Sequence, residues 1–195
     1  MINQISESKV RIMETAVGIA NAEGWDSLSV KKIADQLSIT SAALYKHFES
    51  FEDLKIHISL FCFQEISELL EEVTLLRANS SARLEYLALL LRKFAVKQPG
   101  LFQASLFRGE KEPKELASLR NRSQKLLQDL FRDYSIPEDR LLSVSRSYRA
   151  LIFGILSLEI KKSFGLPEKP EVSFREAVSI FLAGLASKYP EGRIV

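Results

Sequence analysis

Residues 29–48 read SVKKIADQLSITSAALYKHF and contain two short helical patterns joined by a turn. Ser29 is suited to accept a hydrogen bond from the free amides of a first helical turn. The apolar residues that follow it recur at steps of three and four, namely Val30, Ile33, Ala34 and Leu37. Thr40 is a second N-cap residue and opens another helix, which we expect to run through Phe48. A turn of about four residues, Leu37 to Thr40, is typical of a helix-turn-helix unit.

The second of these helices carries side chains that suit the major groove of DNA. Four small or polar residues come first, Thr40, Ser41, Ala42 and Ala43, and they allow a close approach to base edges. Tyr45, Lys46 and His47 follow and can donate hydrogen bonds to phosphates. Small three-helix units also occur in proteins that bind no DNA, and in that alternative Tyr45 and His47 only cap or cover a core.

Helical periodicity continues on both sides of this unit. We expect a first helix over about Ser8 to Glu23, ended by Gly24, and a long fourth helix from near Ser50 toward Arg77. Five further helices follow, the last from about Ser173 to Lys188, and no segment alternates as a strand would. The sequence therefore predicts an all-α protein of about nine helices, with a DNA-binding domain over residues 1–54 and a larger helical domain over residues 55–195.

Composition excludes several classes of protein. The 195 residues are 46% hydrophobic and 27% charged, which is typical of a folded globular chain, and a net charge of +2 does not by itself indicate a nucleic-acid partner. The single Cys62 cannot form an internal disulfide, and with only His47 and His57 beside it the chain lacks the ligands of a zinc module. Neither histidine has a recognisable catalytic partner in the sequence, so we expect no catalytic residues, no metal and no cofactor.

The same patterns give an expected location. The longest apolar stretches fall short of the roughly 20 residues that span a bilayer. The N-terminal sequence MINQISESKVRIMETA lacks the basic start and apolar run of a secretory signal. We therefore expect a cytoplasmic protein without a membrane-spanning segment.

Residues 9–54 resemble, without a gap, the N-terminal DNA-binding domain of the TetR family of bacterial transcription regulators. The residues that carry the resemblance are Ile12, Ala16, Gly24, Ser29, Ile33-Ala34, Ile39-Thr40, Leu44-Tyr45, His47-Phe48 and Leu54. Leu37-Ser38 stands where the family usually has Ala-Gly, so we expect Ser38 to adopt the turn conformation at some strain. Phe51 replaces a usual lysine, and Lys55, one turn along, is a candidate substitute for the lost phosphate contact.

The resemblance implies how the unit meets DNA. Ser29, Val30 and Lys31, at the start of the second helix, would contact the phosphate backbone, where free amides and the helix dipole favour an anion. Thr40 to Ala43 would face bases. Tyr45, Lys46 and His47 would hold phosphates, with a guanine edge as the alternative target of Lys46 or His47.

Beyond residue 55 the resemblance is looser. The stretch RSYRALIFGILSLEI, at 146–160, resembles a late helix of one TetR subgroup, with Phe153-Gly154 in place of a usual His-Gly. Four phenylalanines are candidates for lining an apolar ligand pocket, namely Phe94, Phe102, Phe107 and Phe153. For each of them, a place in the ordinary hydrophobic core is the favoured alternative.

The last two helices have apolar stripes that include Gly154 and Gly184. In the family, two such helices pair with their copies in a homodimer, and the alternative is that both stripes are buried within one chain. The candidate interface residues are Leu151, Ile155, Leu158, Phe181, Gly184 and Leu185. The resemblance thus implies a dimeric transcription regulator, a repressor released from a palindromic DNA operator by a small apolar or amphipathic effector. A helical adaptor that binds protein rather than DNA is the alternative function.

Overall fold

A computed structural model describes residues 6–165 and 167–192 of the chain. Within them the fold is α-helical, with nine α-helices, one short 3-10 helix and a single isolated β-bridge between Tyr134 and Glu191. The helices form two compact units, which are described separately. The first contains the residues up to Glu65 together with Lys97–Leu119, and the second contains Ile66–Val96 together with the residues from Arg120 onward. The predicted all-α class is confirmed, and the predicted division at residue 54 stays a prediction.

The first unit begins with α1 (Glu7–Glu23) and a 3-10 helix (Trp25–Ser27), which are followed by α2 (Val30–Leu37) and α3 (Ser41–Leu44). It also contains the first half of α4 (Phe51–Thr74), α6 (Pro99–Ala104) and the start of α7 (Lys114–Asp129). Ser6 caps α1, and Gly24 ends it at a φ of 93° that glycine tolerates best. The apolar stripes of these helices meet in a core that includes Ile12, Ala16, Ile33, Leu44, Phe48 and Leu54.

Close packing joins α6 to α1 in this unit. The Gly100 amide donates to the Asn21 side-chain oxygen at 2.8 Å, and the Trp25 amide donates to the Gln103 side-chain oxygen at 2.9 Å. A Cβ atom on Gly100 would overlap the main chain of Ala20 and Asn21. The segment after α5 (Ser80–Lys97) is therefore built into the same unit as the helix-turn-helix.

The second unit is centred on α5, α8 (Glu138–Ile160) and α9 (Pro170–Lys188). Tyr148 is fully buried, donates to the Leu84 carbonyl at 2.5 Å, and has the rings of Phe131 and Phe181 at 5.8 and 5.6 Å. Such edge contacts between aromatic rings add to the energy of burial. Tyr148 is thus the central side chain that joins α8 to its neighbours.

Charged groups hold the ends of these helices. Arg92 on α5 pairs with Glu159 of α8 at 2.7 Å and with Glu171 of α9 at 3.4 Å. Arg175, which donates to Glu171, and then Arg92 lower the pKa of the Glu171 carboxyl. Because Arg92 reaches both helices, it links the end of α8 to the beginning of α9.

Helix bounds differ from the predicted ones at a few ends. The third helix ends at Leu44, not Phe48, because the amides of Lys46 and His47 donate three residues back, to Ala43 and Leu44. The fourth helix ends at Thr74, short of Arg77. The ninth begins at Pro170, which suits a first helical turn, three residues before the predicted start.

One of the helices in the described ranges, α8, is long and apolar enough to cross a membrane by length and composition alone. The prediction of no spanning segment rested on the length of uninterrupted apolar runs. Gly154 and several serines interrupt these runs in α8, but the helix is still apolar on average. The core helix of a soluble protein meets the same test, so this property is weak evidence for a membrane.

Candidate nucleic-acid interface

The start of α2 presents free amides beside basic side chains. The Ser29 hydroxyl accepts from the Lys32 amide at 3.2 Å, and the first bond within the helix runs from the Ile33 amide to the Ser29 carbonyl. The amides of Val30 and Lys31 precede that bond, in the first turn, where a helix dipole favours an anion. The Lys31 side chain is exposed, whereas Ser29 and Val30 are half-buried. This end of α2 can approach a phosphate.

The turn between α2 and α3 adopts the predicted left-handed conformation at Ser38. Its φ is 55° and its ψ is 41°, and its amide bonds to carbonyls at the end of α2. The Ile39 amide donates to the Ala34 carbonyl at 3.0 Å, which closes the helix end. The expected positive φ of Ser38 is confirmed, and this residue fixes the angle at which α3 leaves α2.

Helix α3 is short and capped. The Thr40 hydroxyl accepts from the Ala43 amide at 3.2 Å, and Leu44 is fully buried below. The predicted contact residues lie on the accessible part of this segment: Thr40, Ser41, Ala42, Tyr45 and Lys46 are exposed, and Ala43 and His47 are half-buried. The Tyr45 side chain is 47% exposed, and the contact of this segment with DNA stays a prediction.

A cluster of four residues from α1, the end of the α3 segment and α4 supports this surface. The Lys9 ammonium lies 3.0 Å from the His57 Nε2 and 5.0 Å from the centre of the buried Phe48 ring. The His57 ring meets Phe48 edge-on, and its Nδ1 lies 2.8 Å from the Asp53 carbonyl oxygen. With its proton on Nδ1, the His57 ring donates to Asp53 and accepts from Lys9. We did not predict this cluster, because its members are far apart in sequence and only the Asp53-His57 spacing of four is a local sign.

The structure gives Lys55 surroundings that the sequence did not indicate. Its side chain is half-buried, and its ammonium lies 4.7 Å from the centre of the Phe51 ring, 5.5 Å from that of Phe107 and 5.8 Å from that of Trp25. All three distances fall within the range of cation–π attraction. Phe51, which replaces the usual family lysine, is therefore one of the three aromatic rings that surround the Lys55 ammonium.

The four predicted pocket residues divide between the two units. Phe102 is fully buried in α6, and Phe107 is half-buried, with the Trp25 ring at 5.8 Å; both belong to the first unit. In the second unit, Phe94 is buried in α5, and Phe153 is half-buried with the Arg149 guanidinium 5.1 Å from the centre of its ring. A role for these residues in ligand binding stays a prediction.

The predicted interface residues also differ in exposure. Leu158 and Gly184 are exposed, Leu151, Ile155 and Phe181 are half-buried, and Leu185 is buried. Within one chain, two exposed stripes run along α8 and α9, namely Ala150, Gly154 and Leu158, and Ile180, Gly184 and Ser187. Sequence reasoning missed Ile180, which is 63% exposed, although its spacing of four from Gly184 places both on one helix face. These six residues are not buried within the described chain.

Among the residues that the structure describes, no group of three or more His, Cys, Asp or Glu side chains is arranged to hold a metal ion. The accessible chemistry of the first unit is instead a set of hydroxyl, ammonium, imidazole and amide donors around α2 and α3.

Comparisons with known proteins agree with this geometry. Residues 12–57 match a family model described as bacterial regulatory proteins, tetR family, and residues 84–181 match one described as tetracyclin repressor-like, C-terminal domain. An uncharacterised HTH-type transcriptional regulator of Mycobacterium tuberculosis is 27% identical over 78% of this chain and 70% of its own. A nucleoid occlusion factor of Aliivibrio fischeri is 27% identical over 66% of this chain and 68% of its own.

Solved structures share the fold at low identity. The crystal structure of a TetR family transcriptional regulator from Thermus thermophilus superposes with a TM-score of 0.69 at 21% identity, and covers 90% of this chain and 98% of that one. A regulatory protein in the tetR family from Rhodococcus RHA1 gives a TM-score of 0.71 at 16% identity, over 92% and 97% of the two chains. The arrangement of helices is thus shared over almost the whole length.

Proposed function

The chain belongs to the TetR family of bacterial transcription regulators, and we propose that it is a repressor that binds a palindromic operator and is released by a small effector molecule. Family members act as regulators and generally have no catalytic activity. The single observation that carries the proposal is the exposed end of the α3 segment, where Tyr45 and Lys46 extend from a capped helix that is buried on its other side.

In this proposal α3 enters the major groove of duplex DNA. Thr40, Ser41, Ala42 and Ala43 face base edges, and their small side chains favour contacts with thymine methyl groups and readout of DNA shape. Tyr45, Lys46 and His47 hold phosphates on one side of the groove. Ser29, Val30 and Lys31 receive a phosphate at the start of α2, through backbone amides and a lysine side chain.

We propose that the protein is a homodimer. A dimer with two-fold symmetry matches a palindromic operator, whose two half-sites are related by the same symmetry. The exposed stripes of α8 and α9 contain glycine, alanine and serine, small residues that allow helices to approach closely, and also leucine and isoleucine side chains whose removal from water is favourable. Two copies related by a two-fold axis present two α3 helices, and these match half-sites about one helical turn apart or a little more.

The effector is a small apolar or amphipathic molecule, and we propose that it lowers the affinity for DNA. Phe94 and Phe153 of the second unit, two of the four phenylalanines predicted for this role, support an apolar partner. A coupling free energy of about 1 to 3 kcal/mol between effector and operator would change DNA affinity roughly 5- to 150-fold.

The location of the protein is the cytoplasm, where operator DNA is accessible.

A mobility-shift titration tests the proposal. The protein is titrated onto duplex DNA from the region upstream of its own coding sequence and, as a control, onto a shuffled duplex of equal length and composition. We expect tighter binding to the upstream DNA, with an affinity for both duplexes that falls as salt increases. A helical adaptor that binds protein rather than DNA would associate with neither duplex.

A further inference from the structure

Lys55 occupies a place where three separate segments of the first unit meet. Trp25 belongs to the 3-10 helix that leads into α2, Phe51 is the first residue of α4, and Phe107 follows α6. The Lys55 ammonium lies 4.7 to 5.8 Å from the centres of all three rings, and the Trp25 and Phe107 rings are themselves 5.8 Å apart. One ammonium group thus joins three chain segments that are distant in sequence.

Other contacts of α4 hold the same segment after α6. Glu52, one turn before Lys55, accepts from the Glu110 amide at 2.5 Å, and Ser59, one turn after it, donates to the Ala104 carbonyl at 2.9 Å. Residues 52, 55 and 59 lie on one face of α4, because their spacings are three and four. The segment from Ala104 to Glu110 is therefore fixed along this face.

The other side of the arrangement leads directly to the DNA-binding surface. The Trp25 amide is bonded to Gln103 of α6, and the Trp25 carbonyl accepts from the amide of the buried Leu28 at 3.3 Å. Ser29, the N-cap of α2, is the next residue. The main chain of Trp25 is therefore hydrogen-bonded both to α6 and to Leu28, the residue just before the N-cap of α2.

We propose that Lys55 is a positioning residue for DNA binding, which fixes the entry to α2 against α4 and the segment after α6 by holding its ammonium over Trp25, Phe51 and Phe107. The inference rests on the proposed function and assigns Lys55 a different role from the phosphate contact that the family resemblance implies. The Lys55 ammonium is attracted by three aromatic rings and has lost part of its hydration shell to them. In this role it stabilises the packing of Trp25, Phe51 and Phe107 and makes no contact with DNA.

Two substitutions separate these roles. Lys55→Met keeps an unbranched side chain of similar length but removes the charge, whereas Lys55→Arg keeps a cation that stacks on aromatic rings. We expect Lys55→Met to weaken binding to upstream DNA about 5-fold, the equivalent of roughly 1 kcal/mol for a partly desolvated cation–π contact, and Lys55→Arg to restore most of it. For both variants, we expect the slope of log affinity against log salt to equal that of the wild-type protein. A slope reduced by about one would show a phosphate contact and overturn the proposal.

The fluorescence of Trp25 gives a readout that needs no DNA, because Trp25 is the only tryptophan of the chain. Its emission should change in Lys55→Met and resemble the wild type in Lys55→Arg. If Lys55→Met lowers the thermal midpoint but leaves emission and DNA affinity unchanged, Lys55 contributes to stability alone and the positioning role is wrong. If the wild-type protein binds no DNA, the proposed function itself fails, whereas equal binding by wild type and Lys55→Met refutes only the role of Lys55.

A double-mutant cycle tests the contact with the most distant ring along the sequence. Phe107→Leu keeps an apolar side chain but removes the aromatic face. If the ammonium acts through this ring, the double variant Lys55→Met, Phe107→Leu should bind DNA almost as well as whichever single variant binds DNA more weakly. Losses that multiply would show that the two residues act independently, and would contradict the proposal.

Discussion

The backbone amide of Gly100 donates a 2.8 Å hydrogen bond to the side-chain oxygen of Asn21, at a point where α6 and α1 approach too closely for any side chain at residue 100. Residues 97–119 begin at the last residue of α5, a helix that otherwise belongs to the second unit, yet they pack in the first unit with the helix-turn-helix. At residue 100, added volume would therefore meet the main chain of α1.

Gly100→Ala should destabilise the protein by about 1 to 3 kcal/mol, because the new methyl group would overlap the main chain of Ala20 and Asn21. Gly18→Ala is the matched control, since Gly18 lies in α1 with open space around it, and it should stabilise the protein by about 0.5 to 1 kcal/mol. Thermal unfolding measures both. An unchanged midpoint for Gly100→Ala would show that α6 can move away from α1 at no cost.

Ser38→Gly should raise the free energy of unfolding by about 1 kcal/mol, because Ser38 adopts a φ of 55° that disfavours any residue with a Cβ atom. Ser38→Ala keeps the Cβ atom and therefore should bring no gain. Chemical denaturation of the three proteins gives the comparison. Equal gains for glycine and alanine would mean that the serine hydroxyl, not the backbone conformation, is unfavourable there.

Cys62 should be unreactive in the folded protein. Burial raises the pKa of its thiol, with a smaller contribution from the Glu65 carboxylate, so the reactive thiolate is scarcely populated at neutral pH. A thiol reagent such as Ellman's reagent should react with Cys62 at pH 8 only after denaturant is added. Rapid reaction of the native protein would indicate that α4 opens locally.

Gly184→Arg should convert the dimer to monomers, because it places a bulky charge on the exposed stripe that we assign to the interface. Ser118→Arg, at an exposed position of α7, introduces the same side chain elsewhere and should leave the dimer intact. Light scattering gives the mass of each. A dimeric Gly184→Arg protein with an intact fold would place Gly184 outside the interface.

Local chemistry is what made the fold and part of the site predictable. The N-caps Ser29 and Thr40, the left-handed Ser38 and the apolar spacing of α2 all act within a few residues, so the sequence pattern contains them. The early end of α3 at Leu44 was missed, since helical spacing continues to Phe48 while the hydrogen bonds shorten to three residues.

Contacts between distant segments were not predictable in the same way. Nothing near Lys55 in the sequence indicates that Trp25 and Phe107 face its ammonium, because these contacts exist only once α6 has packed on α1. The same holds for the contact between Lys9 and His57, whose residues are 48 positions apart. These are the features of the DNA-binding unit that required a structure.

The salt dependence of DNA binding by Lys46→Ala tests the central claim most directly, since Lys46 is exposed at the end of the α3 segment and is assigned to a phosphate. The control is Lys93→Ala, which removes an exposed lysine from α5 in the second unit. We predict that Lys46→Ala weakens binding to upstream and shuffled duplexes alike and reduces the slope of log affinity against log salt by about one, while Lys93→Ala keeps the wild-type slope. A wild-type affinity and slope in Lys46→Ala would contradict DNA binding through α3.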